Sequence, residues 1–297
     1  MLWHPHTMRF ATLVTVALLL TPLWGQPQRH VVIVDLDGVR RDLLDTPYLA
    51  GRMPQLERLF GSSAAGQGFS RALYFEQATT VAPSVTMSGQ ASLYTGAYPG
   101  AHGVPGDTWF DRDQGVGVDY FTSAGVTCVF DFPLFGASGC GGGLANRNLN
   151  SSTLYEWASL AGVSSVVVYN PYWKGATHAI LPSVLDALAL LQSGTQDFEY
   201  FDRDMAARAI AELREHGRPD LLTLYFVGAD LAGHAAGTRA TMDYLSRVVD
   251  PLLGTFFDAL DQIDPDWQSN TLFVFSSDHG RTDTSATPEL RLAMNWR

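Results

Sequence analysis

Four short runs of apolar, β-branched and aromatic residues constrain the fold more than any other feature of the sequence. They are residues 30–34 (HVVIV), 163–169 (VSSVVVY), 221–227 (LLTLYFV) and 271–275 (TLFVF). Hydrophobic residues follow one another in these runs, without the alternation that marks a half-exposed strand. Such continuous runs predict β-strands that are covered on both faces.

Helical patterns lie between the runs. Residues 204–216 place four apolar side chains on one helix face, and Gly217 suits the C-terminal end of that helix. The four side chains are Met205, Ala209, Ile210 and Leu213. Asp250 followed by Pro251 predicts the start or a kink of another helix, which runs through Leu260. Strands that alternate with helices predict an α/β fold built on a layered sheet.

Residues 107–150 form a region of different composition. They are rich in Gly, Phe, Asp and Asn and include three consecutive glycines at 141–143. Long segments without periodic hydrophobicity in a compact domain are often functional loops. We predict that this region is an insertion over the sheet edge, with the character of a lid.

Composition and charge narrow the classes of function. The chain is 46% hydrophobic and 16% charged, which is typical of a globular domain rather than a disordered one. Its formal net charge of −11 argues against a protein that coats a nucleic-acid duplex. An acidic protein can still bind a small phosphate ester where metal ions supply the positive charge.

Residues 1–25 have the pattern of a signal peptide. A weakly basic start precedes the apolar stretch at residues 11–20 (ATLVTVALLL). This stretch is too short to cross a bilayer comfortably and fits the core of a signal peptide. We therefore predict a secreted or periplasmic protein with one domain at residues 26–297. An uncleaved membrane anchor is the alternative, and no membrane contact beyond this segment is expected.

The sequence has two cysteines, Cys128 and Cys140. In an exported chain they could form one disulfide or remain two free thiols, and the sequence leaves both open. No further cysteine stands at ligand spacing, so a zinc site built on cysteine is not predicted.

Three of the four runs lead directly into acidic or histidine residues. Ligands of open α/β sheets bind beyond the carboxyl ends of the strands, where carboxylates and imidazoles suit a divalent metal. Each motif alone also reads as a turn or a helix-surface pair. Three of them at the same end of three strands favour a metal centre. The residues concerned are Asp35 and Asp37, Asp230 and His234, and Asp278 and His279.

Thr86 precedes a short helix-like run at residues 88–94. A helix N-terminus favours an anion such as phosphate, because free N–H groups and the helix dipole point towards it. Threonine is a weak nucleophile until a base or a metal activates it. Taken alone, the position of Thr86 predicts only a helix cap. If the metal centre lies beside it, Thr86 is a candidate nucleophile.

Several short motifs occur in a characteristic order along the chain. Together they resemble the alkaline phosphatase superfamily, in particular its threonine-nucleophile branch, which includes the nucleotide pyrophosphatase/phosphodiesterases. The motifs are Asp37-Gly38, Thr86, Thr95-Gly96, Tyr98-Pro99, His102-Gly103, the sequence WFDR at 109–112, Asp230 with Gly233-His234, and the sequence SDHG at 277–280.

This resemblance implies a mostly parallel central sheet with helices on both faces. It also implies two divalent metal ions, usually zinc, with manganese or iron as alternatives. Asp230 and His234 would bind the first ion. The second ion would be bound by Asp37, Thr86, Asp278 and His279.

The resemblance implies a reaction as well. It would be hydrolysis of a small phosphate mono- or diester through a phospho-threonine intermediate.

Two positions depart from the pattern that the resemblance implies. We expect a phosphate-binding Asn three residues after the nucleophile, and the chain has Gly89 there. Backbone N–H groups or Lys174 are candidates to replace that contact, although Lys174 also reads as a solvated loop residue.

The resemblance also implies a late histidine as a third ligand to the first ion. No histidine occurs after His279. We therefore expect a chain truncated at its C-terminus, with an incomplete sheet and with weak activity or none. A non-catalytic member of the fold is the corresponding alternative.

The sequence agrees less well with two other families of phosphate- or sulfate-ester hydrolases. Asp35 and Asp37 also resemble the opening of haloacid-dehalogenase-type phosphatases, in which the first Asp is the nucleophile. That family requires Thr after the Gly, where this chain has Val39, and it leaves Thr86 unexplained. Sulfatases need a Cys or Ser in a C/S-x-P-x-R setting, which the Thr86 segment lacks. Substrate preference and oligomeric state stay open.

Overall fold

The computed structural model describes residues 29–61, 69–75, 77–122, 125, 129, 142–183 and 198–283. Four features of the sequence lie outside the described residues. They are the signal-peptide pattern at 1–25, Cys128, Cys140 and the segment 284–297.

A parallel sheet forms the centre of the described structure. Its strands are β1 (His30–Leu36), β4 (Ser165–Val168), β5 (His178–Ile180), β6 (Leu221–Phe226) and β7 (Thr271–Ser276). Within the described ranges the strand order is β5-β4-β6-β1-β7, and every pair is parallel. The four predicted strands are confirmed. The edge strand β5 was not predicted, because three residues carry too little periodic signal.

Helices cover both faces of this sheet, as predicted. Side chains of a strand alternate between the faces, so Val32 and Val34 enter one buried cluster while Val31 and Ile33 pack against the other. The helices are α1 (Arg41–Leu49), α2 (Pro54–Phe60), α3 (Thr86–Thr95), α4 (Pro99–His102), α5 (Leu144–Arg147), α6 (Leu154–Leu160), α7 (Phe198–His216), α8 (Gly228–Ala236), α9 (Thr238–Tyr244), α10 (Asp250–Ile263) and α11 (Trp267–Asn270).

Helix α7 contains the predicted helix 204–216 and begins six residues before it. Phe201, Met205 and Ala209 are buried along one face, which packs on the sheet. No helix in the described ranges is long and apolar enough to cross a membrane.

The predicted excursion at residues 107–150 begins with regular structure. Strands β2 (Thr108–Asp111) and β3 (Val116–Asp119) form an antiparallel hairpin in which Trp109 pairs with Val118. Most of the segment 123–141 lies outside the described residues. The lid-like role therefore stays a prediction.

Asp250 does not cap helix α10. Of the two predictions for Asp250 and Pro251, the start or a kink of a helix, the second agrees better with the structure. A π-helical turn at Leu245–Val249 joins α9 to α10 without a break. Pro251 lacks an N–H group, and an altered turn before it accommodates the missing hydrogen bond. The Asp250 carboxylate instead accepts the backbone N–H groups of Gln55 (3.1 Å) and Leu56 (2.8 Å) in the first turn of α2.

Phe257 provides a test of the core beneath α10. Its ring is fully buried and stacks on Trp267, with centroids 5.4 Å apart. Phe257→Ala is expected to lower the free energy of unfolding by about 3–5 kcal/mol, because it leaves a cavity. The same truncation at exposed Leu160 should change it by less than about 0.5 kcal/mol. Urea denaturation measures both, and equal effects would contradict this packing.

Candidate metal centre

Three neighbouring strands bring the predicted ligands together. Strand β1 lies between β6 and β7, and all three run in the same direction, so their carboxyl ends meet at one edge. Asp37 follows β1, and Asp278 and His279 follow β7. Asp230 lies in the first turn of α8, directly after β6, and His234 lies one turn later.

Asp37, Asp278 and His279 form a group whose ligand atoms all lie within 4.8 Å of one another; the two carboxylates are buried and His279 is partly buried. Nε2 of His279 is 3.3 Å from Oδ1 of Asp37 and 3.8 Å from Oδ2 of Asp278. In the described structure these two carboxylate oxygens are buried and accept no hydrogen bond. They are therefore available to a cation.

The opposite oxygen of each carboxylate is held by a fixed donor. The Tyr225 hydroxyl donates to Oδ2 of Asp37. Oδ1 of Asp278 accepts the backbone N–H groups of Gly38 (3.1 Å) and His279 (2.8 Å). Each carboxylate is thus oriented by one oxygen and presents the other, and this donor set fits a divalent metal.

Thr86 lies beside this group as the first residue of α3. Its Oγ1 is 3.0 Å from Nε2 of His279. Nδ1 of His279 is 3.1 Å from the carbonyl of Gly280. A proton on Nδ1 would be donated to that carbonyl and would leave the Nε2 lone pair for a metal, which is the usual arrangement of a ligand histidine.

Burial shifts the pKa values of the ligand side chains, because their charges are removed from water. Burial, and then the field of Asp278, raises the pKa of Asp37 well above its usual range. Burial opposes the charged form of His279, but its contact with Asp37 and the fields of Asp278 and Asp37 raise its pKa to about 10. In the metal-free protein the His279 imidazolium therefore balances part of the carboxylate charge.

Asp230 and His234 form a second, differently organised half of the site. Nε2 of His234 is 3.0 Å from Oδ2 of Asp230, and Nη2 of Arg281 donates to Oδ1 at 2.9 Å. Burial disfavours the carboxylate, but the contacts with His234 and Arg281 outweigh it and lower the pKa of Asp230. The guanidinium group of Arg281 already occupies Oδ1 of Asp230, so this half of the site is less open to a further ion than the first.

Gly38 brings the two halves into contact. Its φ is +67°, in the left-handed region that favours glycine, and a Cβ there would lie 2.1 Å from Oδ1 of Asp230. The predicted Asp-Gly turn is therefore required by a close approach to the neighbouring motif.

Gly89 and Lys174, the predicted substrate contacts, make contacts within the protein. The N–H of Gly89 donates to the Val85 carbonyl, and a Cβ at Gly89 would lie 2.5 Å from the carbonyl oxygen of Asp278. The ammonium group of Lys174 is 3.3 Å from Oε1 of Glu156. A role of either residue in substrate binding stays a prediction.

Asp35 is fully buried behind the metal-ligand group. Its Oδ2 accepts hydrogen bonds from the Tyr94 hydroxyl (2.8 Å) and from Nδ2 of Asn170 (3.3 Å). Without an exposed face it cannot attack a substrate, which argues against the haloacid-dehalogenase-type alternative.

Sequence reasoning missed Asp107, which approaches the nucleophile. Its Oδ1 accepts the N–H of Met87 at 2.9 Å, next to Thr86. Burial raises the pKa of Asp107. The only sequence signal for it was its place shortly after the His102-Gly103 motif.

Asp202 on α7 was also missed, and it fixes the turn that carries Asp230. Its buried carboxylate accepts the N–H groups of Val227 (3.1 Å) and Gly228 (3.2 Å) and the Tyr244 hydroxyl (3.0 Å). This network sets where α8 begins, two residues before Asp230.

Asp202 gives a prediction about pH. Burial raises its pKa to about 7. A carboxyl group with a raised folded-state pKa contributes stability below its unfolded pKa, near 4, and that contribution is lost as pH rises through 7. From about pH 4 to 8 the free energy of unfolding should therefore fall more steeply for wild type than for Asp202→Asn.

Urea denaturation across this pH range measures the difference. Asp243→Asn, at a half-exposed carboxylate, should keep the wild-type pH slope. Parallel curves for wild type and Asp202→Asn would contradict the prediction.

The chain is similar to known proteins over most of its length. Residues 31–294 match the family model of type I phosphodiesterase / nucleotide pyrophosphatase. An uncharacterized pyrophosphatase/phosphodiesterase of Schizosaccharomyces pombe is 24% identical over 261 residues, which are 87% of this chain and 46% of that protein. Mouse ectonucleotide pyrophosphatase/phosphodiesterase family member 1 is 24% identical over 250 residues, or 84% of this chain and 24% of that protein. The chain thus spans about half or less of these relatives.

Solved structures share the fold. Murine ectonucleotide pyrophosphatase/phosphodiesterase 5 has a TM-score of 0.60 at 18% identity, over 85% of this chain and 57% of that one. Phosphonoacetate hydrolase from Sinorhizobium meliloti 1021 has a TM-score of 0.53 at 20% identity, over 86% and 57% of the two chains. Since the family model covers most of the chain and its motifs meet at one sheet edge, this chain belongs to the type I phosphodiesterase / nucleotide pyrophosphatase family of the alkaline phosphatase superfamily.

Proposed function

We propose that this chain hydrolyses small phosphate mono- or diesters at a divalent-metal centre, with Thr86 as the nucleophile. One observation carries the proposal: Oγ1 of Thr86 lies 3.0 Å from Nε2 of His279, beside two uncommitted carboxylate oxygens. Family membership supports the hydrolysis of a phosphoric ester.

Ligands of the structural neighbours support a small substrate. An inactive variant of murine ectonucleotide pyrophosphatase/phosphodiesterase 5 was solved with AMP, and the Sinorhizobium enzyme with phosphonoformate. Both ligands present a compact, oxygen-rich anionic group. The contacts of Gly89 and Lys174 do not select between mono- and diesters.

Asp37, Asp278, His279 and Thr86 would hold a divalent metal. Bound there, the metal would stabilise charge on phosphoryl oxygens and lower the pKa of a bound hydroxyl. This mixed oxygen and nitrogen donor set suits zinc and also accepts manganese or iron.

Thr86 would form a bond from its oxygen to phosphorus while the bond from phosphorus to the ester oxygen breaks. The hydroxyl proton ends on the departing alcohol, and a water molecule then cleaves the phospho-threonine to release phosphate or a monoester. The N-terminus of α3 directs its dipole at the anion throughout. Asp107 fixes this end of the helix through the N–H of Met87.

Replacing the nucleophile tests the proposal. Thr86→Ala should lower the hydrolysis of p-nitrophenyl phosphate or bis-p-nitrophenyl phosphate by at least about 1000-fold, because the covalent route is lost. Thr95→Ala, the same change at the far end of α3, should retain activity. Circular dichroism and thermal denaturation check that each variant folds.

Two outcomes would count against the enzyme. If folded, metal-loaded wild type cleaves neither ester, the chain is a non-catalytic member of its family. If Thr86→Ala retains activity, a different group attacks phosphorus.

Metal uptake should release protons. The pKa of His279 is about 10 in the metal-free protein, so its imidazole is protonated at pH 8 and must lose a proton to bind a metal. We expect about one proton or more per Zn²⁺ bound at pH 8, measured with an indicator dye in weak buffer. His279→Gln should release fewer protons, and zinc binding without proton release would contradict this ligand assignment.

A further inference from the structure

Arg281 stands where the family resemblance places a metal ion. It follows the Asp278-His279 motif by two residues, and its guanidinium group donates from Nη2 to Oδ1 of Asp230 at 2.9 Å. Its side chain is only 16% exposed. The protein itself thus supplies the positive charge next to the Asp230 carboxylate.

Neighbouring residues fix the position of the Arg281 side chain. Arg281 passes over α8 at Gly233, where a Cβ would lie 2.7 Å from Nε and 2.8 Å from Cδ of the arginine. Its carbonyl oxygen accepts a hydrogen bond from the Arg40 guanidinium group. Two residues later, Asp283 accepts the N–H of Thr238 at 3.0 Å. These contacts fix the backbone at Arg281 and directly after it.

The two halves of the site differ in what they leave open. Each half pairs a carboxylate oxygen with a histidine, Asp37 with His279 at 3.3 Å and Asp230 with His234 at 3.0 Å, but only Asp230 also accepts a hydrogen bond from an arginine, Arg281. A second cation on Asp230 would have to displace the guanidinium group or lie against it, and like charges repel.

We propose, on the basis of the function proposed above, that Arg281 takes the place of the second metal ion. The chain binds a single divalent ion at Asp37, Asp278 and His279, and the guanidinium group supplies the other positive charge facing the phosphoryl group. Nε of Arg281 is buried against Gly233 and has no hydrogen-bond partner in the described ranges, so a phosphoryl oxygen would be contacted by the Nη atoms of the guanidinium group. Arginine suits this task because it is always charged and carries five N–H donors, enough to contact Asp230 and a phosphoryl oxygen at once.

Metal stoichiometry tests this arrangement directly. Purified protein is stripped with chelator, titrated with Zn²⁺ and measured by equilibrium dialysis with elemental analysis. Wild type should saturate at one ion per chain, whereas Arg281→Ala should bind a second. The double variant Arg281→Ala/His234→Ala should return to one ion, because His234 would be a ligand of the second. Arg239→Ala, which removes an exposed arginine on α9, should behave as wild type.

Arg281→Gln serves as a second variant if Arg281→Ala does not fold; it keeps much of the side-chain length but removes the charge. A wild type that binds two ions would overturn the role of Arg281 and leave the proposed function standing. A single ion in both wild type and the folded Arg281 variants would also overturn it. A wild type that binds no ion would overturn both proposals.

Discussion

Buried negative charge at one edge of the sheet is the constraint on which the rest of the structure depends. Asp35, Asp37, Asp230 and Asp278 are all at most 4% exposed, and they lie at the carboxyl ends of adjacent strands or directly after them. Burial raises the pKa of Asp35, Asp37 and Asp278, and the field of Asp278 raises the pKa of Asp35 and Asp37 further. Carboxylates can be kept in such a place only by fixed donors, cations or both.

The fold supplies these donors from its most rigid parts. The strand order places β1 between β6 and β7, so Tyr225 of β6 reaches Asp37 and the backbone after β1 reaches Asp278. The first residues of α3 complete the group with Thr86. The side chains of the candidate metal centre are therefore positioned by strand ends and helix starts rather than by long loops.

Much of this organisation could be predicted from sequence, because strands buried on both faces have an unambiguous pattern. The four runs became four central or edge strands, and the polar residues after two of them, Asp37, Asp278 and His279, lie within reach of one another. The predictions that failed concerned a very short element or a residue whose partner is distant in the sequence. Strand β5 has three residues, and Asp250 holds the start of α2 instead of its own helix.

Supporting residues were missed for a similar reason. Tyr225 lies within a strand and reads as core, and Asp202 lies in a helix and reads as surface. Their roles depend on neighbours far apart in sequence, such as Asp37 for Tyr225 and Gly228 for Asp202. A single sequence carries no signal for such pairs.

Gly38 joins the two halves of the centre through its own backbone. Its N–H donates to Asp278, and the absence of a side chain lets Asp230 lie against it. Any larger residue at this position would therefore have to move Asp230, and with it the contact between Asp230 and Arg281. A single glycine thus sets how closely the two carboxylates can approach each other.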